Sequence, residues 1–265
     1  MRAILTLLVL LAFSALDFDP AITKLYEARV NASTAPDGQK LELPYRLLKP
    51  ETIEPNKRYP LVLFLHGAGE RGSDNELQLK YLPTWLASDE NRQKYPCFVV
   101  APQCPAEMKW ADVLWDDAVS RPQGEMSRPM RGVVGILNTM SELYPIDPAR
   151  IYLTGLSMGG YGSWDLAERM PERFAALVPI CGGGDEAQAG RLAGLPIWAW
   201  HGDEDPAVPV ERSRRMIAAI KAAGGTPRYS ELKGVGHDSW HAAYTGADSV
   251  LPWMFEQVKA TPATK

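Results

Sequence analysis

Five uninterrupted apolar runs, at residues 59–65, 97–101, 151–154, 175–180 and 196–200, constrain this chain more than any other feature. None alternates polar with apolar positions, so a strand built from one must be covered on both faces, as in a parallel sheet held between helices. Amphipathic stretches separate them. Residues 130–144 carry Val133, Ile136, Leu137, Met140 and Leu143 at helical spacing, 158–170 is stopped by Pro171, and 210–223 is closed by Gly224 and Gly225. A short strand over 229–232 and a helix over 249–258 follow. Upstream, 24–31 and 41–48 alternate well enough for an antiparallel pair at a sheet edge. The pattern predicts an α/β three-layer sandwich: a mostly parallel twisted sheet with an antiparallel N-terminal edge and helices on both faces.

The 265 residues suffice for one such domain, expected over 17–265, and no linker, repeat or low-complexity tract divides it. A net charge of -4 gives no reason to expect nucleic acid or an anionic membrane as a partner. The first 16 residues read differently. A basic start at Arg2 precedes an apolar stretch that Asp17 and Asp19 end too early for a membrane span. With small residues at Ala12 and Ser14, this segment predicts a signal peptide and a secreted or periplasmic protein. Cys97, Cys104 and Cys181 have no metal-ligand spacing and sit in or beside apolar runs, so they are expected to be small buried thiols. Nothing in the sequence indicates an oligomeric state.

In sheets of this kind, ligands bind beyond the carboxyl ends of the strands. Polar and glycine-rich segments fall at those ends here. His66-Gly67-Ala68-Gly69 follows the first long run, Ser157 the third, Gly182-Gly183-Gly184-Asp185 the fourth, and residues 201–205 the fifth. Gly155-Leu156-Ser157-Met158-Gly159 lies between a strand and a helix and has the pattern of a nucleophile elbow, in which small flanking residues allow a sharp turn that pushes the serine outward.

A serine hydroxyl needs a base, and the base needs a carboxylate to orient it and stabilise its cation. In elbow-type hydrolases the acid and then the histidine follow the nucleophile, so of four histidines only His237 and His241 lie late enough. His237 occupies a glycine-rich loop after the last strand, whereas His241 falls one turn into a short helix. Asp203, Glu204 and Asp205 all follow the fifth run and position alone does not choose between them; Asp185 is a weaker rival, and His201 reads as a structural loop residue. Acyl transfer also needs donors for the developing oxyanion. The N–H of Met158, at a helix N-terminus, and that of Ala68, in the early glycine loop, are the expected pair. Trp110, Trp115 and Trp240 fall in loops near the rim and are candidates for stacking on substrate, while Trp85, Trp164, Trp198, Trp200 and Trp253 read as core.

These residues resemble the α/β-hydrolase superfamily, and within it the phospholipase/carboxylesterase, dienelactone-hydrolase-like and "predicted peptidase" group. The likeness is carried by Leu65-His66-Gly67-Ala68-Gly69-Glu70-Arg71-Gly72, Ala101-Pro102-Gln103-Cys104-Pro105, Ile146-Asp147-Pro148, the elbow at 155–160, His201-Gly202-Asp203-Glu204-Asp205 with Val208-Pro209, and Gly236-His237. The resemblance implies an α/β-hydrolase sandwich, places the acid on Asp205, and agrees with Ala68 and Met158 as oxyanion donors. It also implies that residues 110–128 correspond to a variable insert. The expected activity is hydrolysis of a small-molecule or polymer-linked carboxylic ester by a secreted serine esterase, through Ser157, His237 and Asp205, with no cofactor or metal. Two other readings are a serine peptidase of the same fold, a branch that usually carries an additional domain, and a binding protein on a hydrolase scaffold. Competent residues at all the catalytic positions weigh against the latter.

Overall fold

The computed structural model describes residues 20–34, 38, 40–115 and 124–259. The expected signal peptide and the middle of the 110–128 segment therefore lie outside the described residues. Eight strands form one sheet in the order β1-β2-β4-β3-β5-β6-β7-β8. The first two, β1 (Glu27–Thr34) and β2 (Lys40–Leu48), pair antiparallel, and β2 joins the sheet by an antiparallel contact with β4 (Phe98–Pro102). From there β3 (Tyr59–Leu65), β5 (Ile146–Leu156), β6 (Ala176–Ile180), β7 (Trp198–Gly202) and β8 (Arg228–Leu232) run parallel.

The apolar runs are continuous because successive side chains enter two different cores. Leu61, Leu63 and Leu65 of β3 join one cluster, while Val62 and Phe64 join the other. Phe98 and Val100 of β4 are likewise separated from Val99 and Ala101. The first cluster is closed by α4 (Arg128–Leu143), α5 (Met158–Arg169) and α6 (Glu211–Ala222). The second is closed by α2 (Leu82–Leu86), α7 (Trp240–Thr245) and α8 (Val250–Glu256). Each buried apolar side chain contributes about 1.5–3 kcal/mol, so these five side chains of β3 together contribute on the order of 10 kcal/mol. Ser127 caps α4 by accepting from Met130 N–H at 3.2 Å, and Pro129 occupies the first turn, where its missing N–H is harmless.

Three stretches depart from the sequence reading. A short helix, α1 (Pro20–Leu25), precedes β1, and buried Tyr26 turns the chain between them, its hydroxyl donating to the Pro83 carbonyl at 2.8 Å. Strand β5 begins at Ile146, ahead of its apolar run, because Asp147 accepts from Ala149 N–H at 2.9 Å and Arg150 Nε at 2.6 Å and turns the chain within the strand. A further short helix, α3 (Asp89–Lys94), lies between α2 and β4. Among the described residues no helix is long and apolar enough to cross a membrane.

Candidate active site

Ser157 joins β5 directly to α5, and its backbone is forced to φ 54° and ψ -118°, a conformation that costs free energy and must be imposed by its surroundings. Two glycines make that turn possible. A Cβ on Gly159 would overlap the Leu65 carbonyl of β3, and one on Gly155 would overlap the Gly159 carbonyl. The turn is anchored on its other side by Ser157 N–H donating to Ile180 O at 3.0 Å at the end of β6.

The side chains expected from the sequence meet there. His237 Nε2 lies 2.9 Å from Ser157 Oγ, and His237 Nδ1 lies 2.7 Å from Asp205 Oδ2. A carboxylate can only accept, so Nδ1 carries the hydrogen and Nε2 is left to accept from the serine. The geometry also separates the three acidic candidates. Asp203 is occupied by Gly234 N–H at 2.6 Å, Glu204 is exposed, and Asp205 faces the imidazole. Asp185 instead caps a following 3-10 turn by accepting from Ala187 N–H. The loop after β7 is held to the loop after β8 by Asp203 N–H to Leu232 O at 3.1 Å and Glu204 N–H to Val235 O at 3.0 Å, which fixes the acid relative to the histidine.

The Asp205 side chain is wholly shielded from solvent. Burial would raise its carboxyl, but donors from His201, His237 and the N–H groups of Val208 and Ala207 outweigh it and hold the group well below the usual carboxylate range. His201 was expected to be structural only; its Nε2 lies 3.2 Å from Asp205 Oδ2. Cys181 Sγ, an Asp205 oxygen and a His237 nitrogen lie within 4.8 Å of one another, the one such group of potential metal ligands among the described residues. Burial pushes the Cys181 thiol far above its ordinary value. All three cysteines are free and buried, as expected.

The glycine loop after β3 lies beside the serine: a Cβ on Gly67 would stand 3.7 Å from Ser157 Cβ. Its conformation is set by residues whose part in the site was not apparent from the sequence. His66 Nδ1 lies 2.6 Å from the Gly67 carbonyl, and His66 Nε2 accepts from Cys104 N–H at 2.9 Å. Because a trans peptide is planar, fixing the Gly67 carbonyl turns the Ala68 N–H the opposite way, and among the described residues no backbone carbonyl of a turn or loop accepts from that N–H. Arg71 Nε donates to Ala68 O at 3.0 Å, and Gln103 Nε2 to Glu70 O at 3.1 Å. Met158 opens α5, so its N–H has no partner within the helix.

The tryptophan expectations divide. Trp110 is not a surface ring: it is fully buried, donates Nε1–H to His66 O at 3.0 Å, and packs edge-on against the His66 imidazole. Its apolar area and single donor are both used in supporting the glycine loop, so it cannot stack on a substrate. Trp115 is half-buried against Tyr161 and Val208. Trp240 is nearly buried and stands edge-on to His237, with ring centroids 5.4 Å apart. His241 is exposed and leans on Tyr81 and Trp85, away from any hydrogen bond with Ser157. Of the tryptophans expected in the core, Trp164, Trp200 and Trp253 are buried, while Trp85 and Trp198 are half-buried.

Comparison with known proteins gives a consistent picture. The structure of a thermostable esterase matches with a TM-score of 0.81 and 39% identity, over 90% of this chain and 64% of that one. Poly(3-hydroxyalkanoate) depolymerase C of Paucimonas lemoignei is 30% identical over 127 residues, 47% of this chain and 28% of its own length. A bifunctional acetylxylan esterase/xylanase of Neocallimastix patriciarum is 28% identical over 184 residues, 69% of this chain and 24% of its own. The chain thus spans about a quarter of the length of these two curated relatives. The phospholipase/carboxylesterase family profile matches residues 49–251, which include the whole segment from the glycine loop to His237. With its eight-stranded sheet and strand-to-helix turn at Ser157, the chain belongs to the phospholipase/carboxylesterase family of α/β-hydrolases.

Proposed function

We propose that this protein is a secreted serine esterase that hydrolyses carboxylic esters through an acyl-enzyme. The observation that carries this reading is the unbroken line from Asp205 Oδ2 through the His237 ring to Ser157 Oγ, with hydrogen bonds of 2.7 and 2.9 Å. Ser157 Oγ attacks the ester carbonyl while His237 Nε2 takes its proton, and Asp205 stabilises the resulting imidazolium. The carbonyl oxygen, now an anion, is held by the N–H groups of Ala68 and Met158, the latter aided by the dipole of α5. Collapse of the tetrahedral species passes the proton from His237 to the leaving alcohol. Water then repeats the sequence on the acyl-enzyme, releasing the acid and restoring Ser157.

The apolar start of the sequence supports export. The names of two relatives, a poly(3-hydroxyalkanoate) depolymerase and an acetylxylan esterase/xylanase, support an ester carried on a polymer as the substrate. Trp115 and Trp240 are the rings left to contact it. The test is a panel of acetyl, feruloyl and longer acyl esters, free and polymer-linked, assayed with the native protein and with Ser157→Ala. Native turnover that falls by about 10⁴-fold or more in the variant is expected. No hydrolysis of any ester by well-folded native protein would overturn the reading.

A further inference from the structure

Two histidines, not one, reach the same oxygen of Asp205. His237 Nδ1 lies 2.7 Å and His201 Nε2 3.2 Å from Oδ2, while Oδ1 accepts from Ala207 N–H at 2.8 Å and Val208 N–H at 2.9 Å. His201 Nε2 also lies 3.0 Å from the Val208 carbonyl. Neither of its neighbours can donate, so this nitrogen carries a hydrogen and shares it between them. On the other side of the ring, Nδ1 lies 2.8 Å from Ser213 Oγ of α6, which in turn reaches the Gly182 carbonyl at 3.3 Å. The side chains of His201 and Asp205 are both shut off from solvent, so no water attenuates their interaction.

We propose that His201 is a positioning residue for the reaction: its Nε2–H holds Asp205 Oδ2 in place for His237 and draws off part of the carboxylate charge, thereby setting the pH above which His237 acts as a base. This rests on the reading of Ser157, His237 and Asp205 as a triad. The sign follows from electrostatics. The charge on Asp205 favours the imidazolium form of His237, and each additional donor on Oδ2 weakens that preference. Removing the His201 donor strengthens it, so His237 keeps its proton to higher pH.

Other charged and titratable groups lie around the pair. Strand β6 ends in the Cys181 thiol, neutral because burial drives it far up. Strand β8 contributes Glu231, which interacts with His201 and is held at about 2 by the Arg214 guanidinium of α6. Neither changes charge between pH 5 and 9. Asp238, after β8, interacts with Cys181, and Asp203 and Glu204 precede Asp205 in its own loop.

The experiment compares pH profiles of kcat/KM on a soluble ester for the native protein, His201→Leu, His201→Gln, Ser213→Ala, Ser157→Ala and Asp205→Asn, with folding checked by thermal melting. In His201→Leu the acidic limb should move upward by about half to one pH unit, with a fall in kcat. His201→Gln, which keeps an N–H donor at similar reach, should return the limb toward its native position. Ser213→Ala loosens the His201 ring without touching Asp205, and should shift the limb upward by less; it carries the test if His201→Leu does not fold. A lower kcat with an unmoved limb in the folded variants would overturn the proposal and reduce His201 to a structural part. The triad reading is tested separately: activity surviving in Ser157→Ala or unchanged in Asp205→Asn would remove that foundation, whatever the His201 variants do.

Discussion

His66 shows how a residue outside the proposed triad can shape a candidate site. Its Nδ1–H holds one carbonyl of the glycine loop, its Nε2 accepts from Cys104 N–H, and Trp110 lies against its ring. Accepting at Nε2 requires the neutral form, and burial lowers this imidazole from 6.5 to about 4. Between those two pH values the unfolded chain binds a proton that the native state refuses, so stability falls as pH drops through that window. The loss should reach about 3 kcal/mol by pH 4. Asp205 adds to it at lower pH, since its carboxyl is held below the ordinary value and its contribution disappears as the group protonates. Urea unfolding between pH 8 and 4 checks this: the native protein should lose stability below 6.5, and His66→Gln should show a flatter dependence. An equally steep slope in His66→Gln would assign the effect elsewhere. The sequence marks His66 only as part of a loop motif, because its partners Cys104 and Trp110 lie 38 and 44 residues downstream.

At the level of elements, the strands were legible because both faces of the sheet are covered, which leaves a continuous apolar run for each. What was not legible depends on polar or very local geometry. The N-terminal part of β5 is shaped by Asp147, and the short helices α2 and α3 are too brief for a helical period to appear. Leu143 illustrates the limit of periodicity: it fits the apolar stripe of α4, yet it is 68% exposed at the helix end. The elbow was legible because its glycines answer a steric demand made by neighbouring backbone. Gly159→Ala would press a methyl into the Leu65 carbonyl, which cannot move without disturbing β3, so a loss of more than about 3 kcal/mol, or no soluble protein, is expected. Gly69→Ala, where a Cβ meets nothing within 4 Å, should change stability by less than about 0.5 kcal/mol. Thermal melting of the two variants distinguishes them, and equal effects would contradict the steric account of the turn.

Across the whole molecule, the candidate site is assembled because the carboxyl ends of the strands gather segments far apart in sequence. The loops after β3, β5, β7 and β8 bring Ala68, Ser157, Asp205 and His237 to the same rim, an arrangement that chain order and strand polarity made readable. The choice among Asp203, Glu204 and Asp205 was not readable from position, because it depends on which carboxylate the β8 loop leaves free. Trp110 was misplaced for a related reason: a loop position does not reveal that the ring fills the space beneath the glycine loop. The fold needs no covalent crosslink, since all three cysteines are buried and free, so a reducing agent should leave the melting temperature unchanged. The most direct test of the account as a whole is covalent labelling with a fluorophosphonate, followed by peptide mass spectrometry and residual esterase assay. A single adduct on Ser157 that appears in step with loss of activity, and is absent from Ser157→Ala, is the predicted result. Failure to label the folded protein, or an adduct on another residue that accounts for the lost activity, would contradict Ser157 as the nucleophile.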